Sequence, residues 1–257
     1  NQRGFHKIPL SFSRQMVRAS ASITRRKNTI HAVTEVDVTE PRRRIKEHFE
    51  KTGEKLSFTA YIVTCLSHTI KDHPELNSFI KGRKLILLND INISVLVERE
   101  VQGEKVPEPY IVREAQNKSF IQISSEIMEA KRISSDKIGS LTGSVWINLI
   151  PGFLLKTFVS IADRNIKMAK LYGKVAVTAV GMYSDESLWF IPHGSATLLV
   201  TVGSITDKIV KTESGFDTRE HLCITVSFDH DIVDGAPATR FMKQFTGTIK
   251  NGSLIKT

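Results

Sequence analysis

The chain of 257 residues carries 36 basic and 27 acidic side chains, a formal net charge of +9, and is 40% hydrophobic. That balance excludes a disordered or collagen-like polypeptide, and the length supports one large domain, or two small ones, whose core needs neither disulfide nor metal. No run reaches the ~18 apolar residues of a membrane-spanning helix, and the opening NQRGFHKIPL lacks the basic and apolar regions of a secretion signal. A cytoplasmic protein is therefore expected. Cys65 and Cys223 sit in the apolar runs YIVTCLSHTI and HLCITVSF and read as buried free thiols in a reducing compartment.

Residues 1–51 contain 12 Lys and Arg against 5 Asp and Glu, so +7 of the +9 lies there. Arg25-Arg26-Lys27 and Arg42-Arg43-Arg44 are not interleaved with aromatic side chains, and no zinc-ligand spacing accompanies them, so a nucleic-acid partner is not expected. The runs read as a solvated basic face, with attraction of an anionic coenzyme as the functional alternative.

In chain order, TIHAVTEVDV (29–38) alternates and is β-branched, which predicts a strand. Thr39 then caps a helix to about Lys51, with Pro41 early in it. Ser57 caps a second helix, Phe58 to about Asp72, apolar on most of its circumference and so placed in the core. Strands are expected at 84–88, 91–97 and 109–113, with 102–109 (QGEKVPEP) as a turn-rich connection, then an amphipathic helix from Ser119 to Ile133. The stretch 146–174 is apolar but broken by Pro151-Gly152 and Lys156. A helix or helix pair covering the core is its plain reading, and a substrate lid or an interfacial helix on a membrane or partner are the alternatives. Sheet-like alternation returns at 174–179, 197–205 and 221–228, and a last helix runs from Pro237 to about Lys250. This mixture predicts an α/β sandwich of two layers.

Phosphate loops, dinucleotide fingerprints, zinc motifs and the hydrolase nucleophile elbow are all missing from the sequence. What stands out is Phe228-Asp229-His230-Asp231-Ile232-Val233-Asp234-Gly235-Ala236, where a strand ends in a histidine and an acid follows four residues later. An imidazole titrates near neutral pH, and a strand-to-loop junction can present it to a cleft, so His230 is a candidate general base, with a structural turn histidine equally open on composition. Asp229, Asp231 and Asp234 around one histidine do not make a recognised ligand frame, and no metal is assigned.

Several motifs in register resemble one family. Ile8-Pro9-Leu10-Ser11 with Arg14, Glu35-Val36-Asp37-Val38-Thr39, Leu56-Ser57-Phe58-Thr59-Ala60, His73-Pro74-Glu75-Leu76-Asn77, Pro109-Tyr110-Ile111-Val112-Arg113 and Asp229-His230-x-x-x-Asp234-Gly235 follow one another in order. From Ile8 to about Lys250 the chain resembles the catalytic domain of dihydrolipoamide acyltransferases, the core component of 2-oxo acid dehydrogenase complexes, which shares its fold with chloramphenicol acetyltransferase. The resemblance implies an α/β two-layer sandwich of mixed sheet and helices and an acyl transfer between coenzyme A and a thiol acceptor of dihydrolipoamide type. His230 is then similar to the general base, Thr178, 52 residues before it, to the hydroxyl that donates to the oxyanion, and Asp234 to the acid that organises the loop. Arg14 is the candidate partner of Asp234, and Gly235 the permissive residue at the sharp exit into the last helix. Acyl-CoA is the implied substrate, and a lipoyl group would come from another chain.

The resemblance also implies a homotrimer with active sites between subunits, a larger core, a lipoyl-bearing protein and dehydrogenase components as partners. The 257 residues are expected to form a single acyltransferase catalytic domain with an atypical apolar insertion at about 146–172, without a lipoyl or peripheral-subunit-binding domain. Asp231 replaces the family's usual basic residue, and the tail 251–257 is less apolar than the family's core-docking end. The alternative from another class is a non-catalytic trimeric scaffold that docks a partner or membrane through 146–172.

Overall fold

The computed structural model describes residues 4, 6–7, 10, 12–25, 27–101, 104–132, 157, 160–161, 163–181, 184–213 and 215–255. Alternating segments form the strands β1 (Thr29–Asp37), β2 (Ser78–Lys81), β3 (Lys84–Leu87), β4 (Ile93–Val101), β5 (Glu104–Val112), β6 (Val175–Ala179), β7 (Leu198–Thr212) and β8 (Gly215–Asp229). Helices are α1 (Phe12–Thr24), α2 (Thr39–Thr52), α3 (Phe58–Ile70), α4 (Phe120–Arg132), α5 (Ile166–Tyr172) and α6 (Gly235–Asn251). Six strands make one mixed sheet in the order β1-β8-β7-β6-β4-β5, and β2 and β3 pair as a separate hairpin. The pairs β4–β6 and β6–β7 are parallel, and the rest are antiparallel.

Period-two alternation sends Val175, Val177, Leu198, Val200, Ile224 and Val226 to one face, where they join the buried core with α3 and α6. The helix α3 is buried almost all round, as its apolar circumference predicts, and the Ser57 hydroxyl caps it by accepting from the Ala60 N–H. The Tyr61 hydroxyl, sealed in this core, donates to the Ile249 carbonyl at 2.7 Å and locks α3 to the end of α6. Burial drives the Tyr61 phenol well above its ordinary value and pushes the Cys65 thiol up to about 12. Both cysteines are free and buried.

The two-layer α/β architecture matches expectation, while several local readings are corrected. The tract 102–109 is not simply a turn, because Glu104 opens β5. Pro107 and Pro109 are tolerated there since β5 pairs only with β4 and its other edge needs no donor. Thr39 is the first helical residue rather than the cap, and its hydroxyl accepts from the Glu220 N–H at 2.9 Å. The last helix starts at Gly235, two residues before Pro237. Strands β7 and β8 are each 15 residues long, so the expected 197–205 and 221–228 are the buried halves of one long hairpin. The basic run 42–44 is solvated, as expected, and its exposed guanidinium groups form surface ion pairs, Arg42 with Glu220, Arg43 with Glu40 and Glu47, and Arg44 with Glu40. Residues 146–156, most of the expected insertion, lie outside the described residues.

Candidate active site

The loop between β8 and α6 is built tightly. The Ile232 and Val233 N–H groups donate to the Asp229 carbonyl at 3.0 and 3.1 Å, and the Ala238 N–H donates to the Asp234 carbonyl at 3.1 Å, starting α6. Val233 and Phe228 are buried on either side of the turn, and Phe228 meets Phe241 of α6 edge-on at 5.8 Å. These anchors leave the His230 side chain 43% exposed, with Nδ1 3.6 Å from Asp234 Oδ1, a carboxylate itself 83% exposed. At 3.6 Å the contact is an ion-pair distance, longer than a hydrogen bond. Gly235 does not have positive φ, and a Cβ there would meet no atom within 4 Å, so the exit into α6 does not itself call for glycine.

A second set of contacts holds this loop from the side. Lys27 Nζ binds Asp229 Oδ2 at 2.8 Å and donates to the Ser195 carbonyl at 2.6 Å. The His230 N–H donates to the Asn28 carbonyl at 2.6 Å, and Asn28 Nδ2 donates to Asp231 Oδ1 at 2.9 Å. One row further across the sheet end, the Asp229 N–H donates to the Thr197 carbonyl and the Thr197 N–H to the Lys174 carbonyl, at 2.9 and 2.8 Å. Lys174 is buried over the Phe79 ring and pairs with Asp163 at 2.8 Å. Burial lowers the Lys174 ammonium pKa despite the opposing pull of Asp163.

Thr178 lies on β6, half-buried, in register with Thr201 of β7, which pairs with Thr225 of β8. Its side chain belongs to the face opposite the helices, since Val175 and Val177 point to the core. The Thr201 and Thr225 hydroxyls on this face are buried without a hydrogen-bond partner among the described residues. Farther along the same face, His31 Nδ1 lies 2.8 Å from the buried Ser227 hydroxyl, and burial first, then His193, lowers the His31 pKa. Thr178 and His230 are separated by two strand spacings and five residues of rise, roughly 20 Å, so one chain does not bring them together. Arg14 is exposed on α1, and Ile8, Pro9 and Ser11 lie outside the described residues.

The structure therefore brings His230 and Asp234 together and sets Thr178 apart. Sequence reasoning missed Lys27, Asn28, Lys174 and Asp163: Lys27 is hidden in a basic run, and Lys174 stands in the bend just before β6. An open groove of about 490 Å³ runs beside the loop between β1 and α6, lined among others by Ile30, Ala32, Phe228, Ala238 and Met242. Among the described residues no group of three or more His, Cys, Asp or Glu is placed to hold a metal ion, and no helix is long and apolar enough to cross a membrane.

The profile of the 2-oxoacid dehydrogenases acyltransferase (catalytic domain) family matches residues 3–141 and 162–256. The dihydrolipoyllysine-residue succinyltransferase component of the 2-oxoglutarate dehydrogenase complex of Staphylococcus saprophyticus is 26% identical over 227 residues, 87% of this chain and 46% of that protein. Its Staphylococcus aureus counterpart is 27% identical over the same shares. The chain thus spans about half the length of these relatives. A probable dihydrolipoamide acetyltransferase from Listeria monocytogenes superposes with a TM-score of 0.71 at 21% identity, over 96% of this chain and 95% of that one. The dihydrolipoamide acetyltransferase of Azotobacter vinelandii gives 0.73 at 16% identity, over 98% and 93%. The cubic core of the pyruvate dehydrogenase multienzyme complex gives 0.72 at 17%, over 99% and 95%. With its mixed sheet, its Asp-His-x-x-x-Asp-Gly loop and a profile match over most of its length, the chain belongs to the family of 2-oxoacid dehydrogenase acyltransferase catalytic domains.

Proposed function

We propose that this chain transfers an acyl group between coenzyme A and a dihydrolipoyl-type thiol, using His230 as the general base. The observation that carries the reading is the His230–Asp234 pair, 3.6 Å apart on a hydrogen-bonded loop in a chain of this family. Nε2 of His230 removes the proton of the acceptor thiol as its sulfur attacks the thioester carbonyl. The tetrahedral oxyanion accepts a hydrogen bond from the Thr178 hydroxyl. Collapse breaks the bond to the departing sulfur, and the imidazolium returns the proton to that thiolate. The Asp234 carboxylate faces Nδ1 and stabilises the positive charge the ring carries between the two steps. The serine, histidine and asparagine investigated in the Azotobacter enzyme's mechanism have the same spacing as Thr178, His230 and Asp234, which supports these assignments.

The roughly 20 Å that separate Thr178 from His230 within a chain favour a site shared between chains, and a homotrimer supplies three such sites. A base that is 43% exposed in one chain also needs a neighbour to exclude water and give the oxyanion contact its full strength. The open space beside Gly235 leaves room for close approach of substrate or subunit. Arg14 remains the candidate N-terminal support of the loop. The lipoyl group would come from a separate lipoyl-bearing protein, and the trimer would serve dehydrogenase components within a larger core in the cytoplasm, a reducing compartment suited to two free thiols. The family match skips 142–161, which supports the first part of the expected insertion at 146–172 and not its end, 162–172.

The test is acyl transfer from acetyl-CoA and succinyl-CoA to free dihydrolipoamide. His230→Ala should lower kcat at least 100-fold with the oligomer intact, consistent with the usual contribution of a general base. Wild-type rates in that variant would remove the mechanism.

A further inference from the structure

The basic segment before β1 makes an unusual contact with the far end of the chain. Lys27 and Asp229 are 202 residues apart, yet their charged groups meet at 2.8 Å with only 16% and 7% of the side chains exposed. The same ammonium donates to the Ser195 carbonyl, so one side chain ties three strands' ends together: the entry to β1, the segment before β7 and the exit of β8. Asp229 immediately precedes His230, and its second oxygen accepts from the Asp231 N–H at 3.3 Å, so the carboxylate braces the loop on both sides of the histidine.

Next to Lys27, Asn28 receives the His230 N–H at 2.6 Å. The neighbouring buried pair Lys174–Asp163 lies one hydrogen-bonded row away, at the foot of the strand that carries Thr178. A desolvated ion pair contributes little net stability when compared with an apolar pair, yet it fixes geometry because neither partner can leave alone.

We propose that Lys27 is a positioning residue for the His230 base, acting through Asp229 and the backbone clamp at Asn28. The proposal rests on the acyl-transfer reading for its kinetic consequence, while the clamp itself is a statement about the loop. Its action is on orientation, so it affects turnover more than acyl-CoA binding.

The test uses the full chain and four variants, with acetyl-CoA, succinyl-CoA and dihydrolipoamide as substrates. Lys27→Met should lower kcat about 10-fold or more and leave KM for acyl-CoA within about twofold, whereas Lys27→Arg should recover most of kcat. The double variant Lys27→Met with Asp229→Asn removes the unpaired buried carboxylate. It should regain the thermal midpoint but not kcat, and it serves as the test if Lys27→Met does not fold. Hydrogen exchange of the peptide around 228–233 gives a readout independent of turnover, and its protection should fall about 10-fold in the double variant. Wild-type kcat in the double variant, or unchanged exchange, overturns the proposal. His230→Ala run in parallel separates the two ideas: wild-type turnover there removes the acyl-transfer reading, and exchange still decides the clamp.

Discussion

Phe241 of α6 is fully buried and supports the candidate site from behind. Its ring meets Phe228 at 5.8 Å, His73 at 5.5 Å and Phe245 at 5.5 Å, the first two edge-on and the third stacked. Phe241→Ala removes a whole aromatic ring from a site with 0% exposure, so collapse of the surroundings is limited. Truncation of a buried Phe costs about 3–5 kcal/mol, and three broken aromatic contacts place this position toward the upper half of that range. For a domain of this size each kcal/mol shifts the midpoint by about 2–4 °C, so a fall of roughly 8–20 °C is expected. Because Phe228 lies two residues before His230, the lost support should also loosen the loop and lower kcat for acyl transfer. The assay is urea unfolding followed by circular dichroism at fixed chain concentration, together with steady-state kinetics below the new midpoint. A loss under about 1.5 kcal/mol would refute the idea that this aromatic cluster anchors the loop.

Three further expectations concern buried polar atoms. Thr225 is fully buried and its hydroxyl lacks a partner among the described residues, so Thr225→Val should raise stability by about 1 kcal/mol, and an unchanged or lower urea midpoint would contradict the reading. Burial pushes the Cys65 thiol up to about 12 from 9.0, so native protein at pH 8 should not react with iodoacetamide at Cys65 until it unfolds. A thiol whose native pKa is raised favours the folded state below its unfolded value, and that contribution is lost as pH rises from about 9 toward 12. Alkaline unfolding in that window should therefore be delayed in Cys65→Ala relative to its own midpoint at pH 8, and an identical pH dependence in both proteins would contradict this.

Much of the fold was legible because its signals are local. The alternation of 29–38, the Ser57 cap, the apolar circumference of α3 and the strand over 221–228 each depend on residues close in sequence, and each reappears in the structure. The distal half of the β7–β8 hairpin was not legible, because both of its faces meet solvent and polar residues fill the alternation. Ile209 and Phe216 there are 77% and 78% exposed. Helix α1 was missed although FSRQMVRASASIT places Phe12, Met16, Ala19 and Ile23 at helical spacing, because the basic residues of the segment drew the reading toward charge. Strand β5 was read partly as a turn because prolines signal breaks, and only its position at the sheet edge makes them acceptable. His230 and Asp234 were found through a contiguous motif, whereas Lys27 and Asp229 meet only after the sheet has assembled. No local pattern reports a pairing across 202 residues.

In the proposed mechanism His230 and Thr178 act together from different chains. Two variants, His230→Ala and Thr178→Val, should each be inactive by at least about 100-fold, since each removes one half of the machinery. Co-expressed in equal amounts and purified as mixed oligomers, they should regain activity, because a site that takes its histidine from one variant and its threonine from the other is intact. Random assembly into trimers makes about one site in four of this kind, so about a quarter of the wild-type kcat per chain is the predicted result. Activity that stays at the level of the separate variants, in oligomers shown by mass spectrometry to contain both chains, would contradict a site shared between subunits.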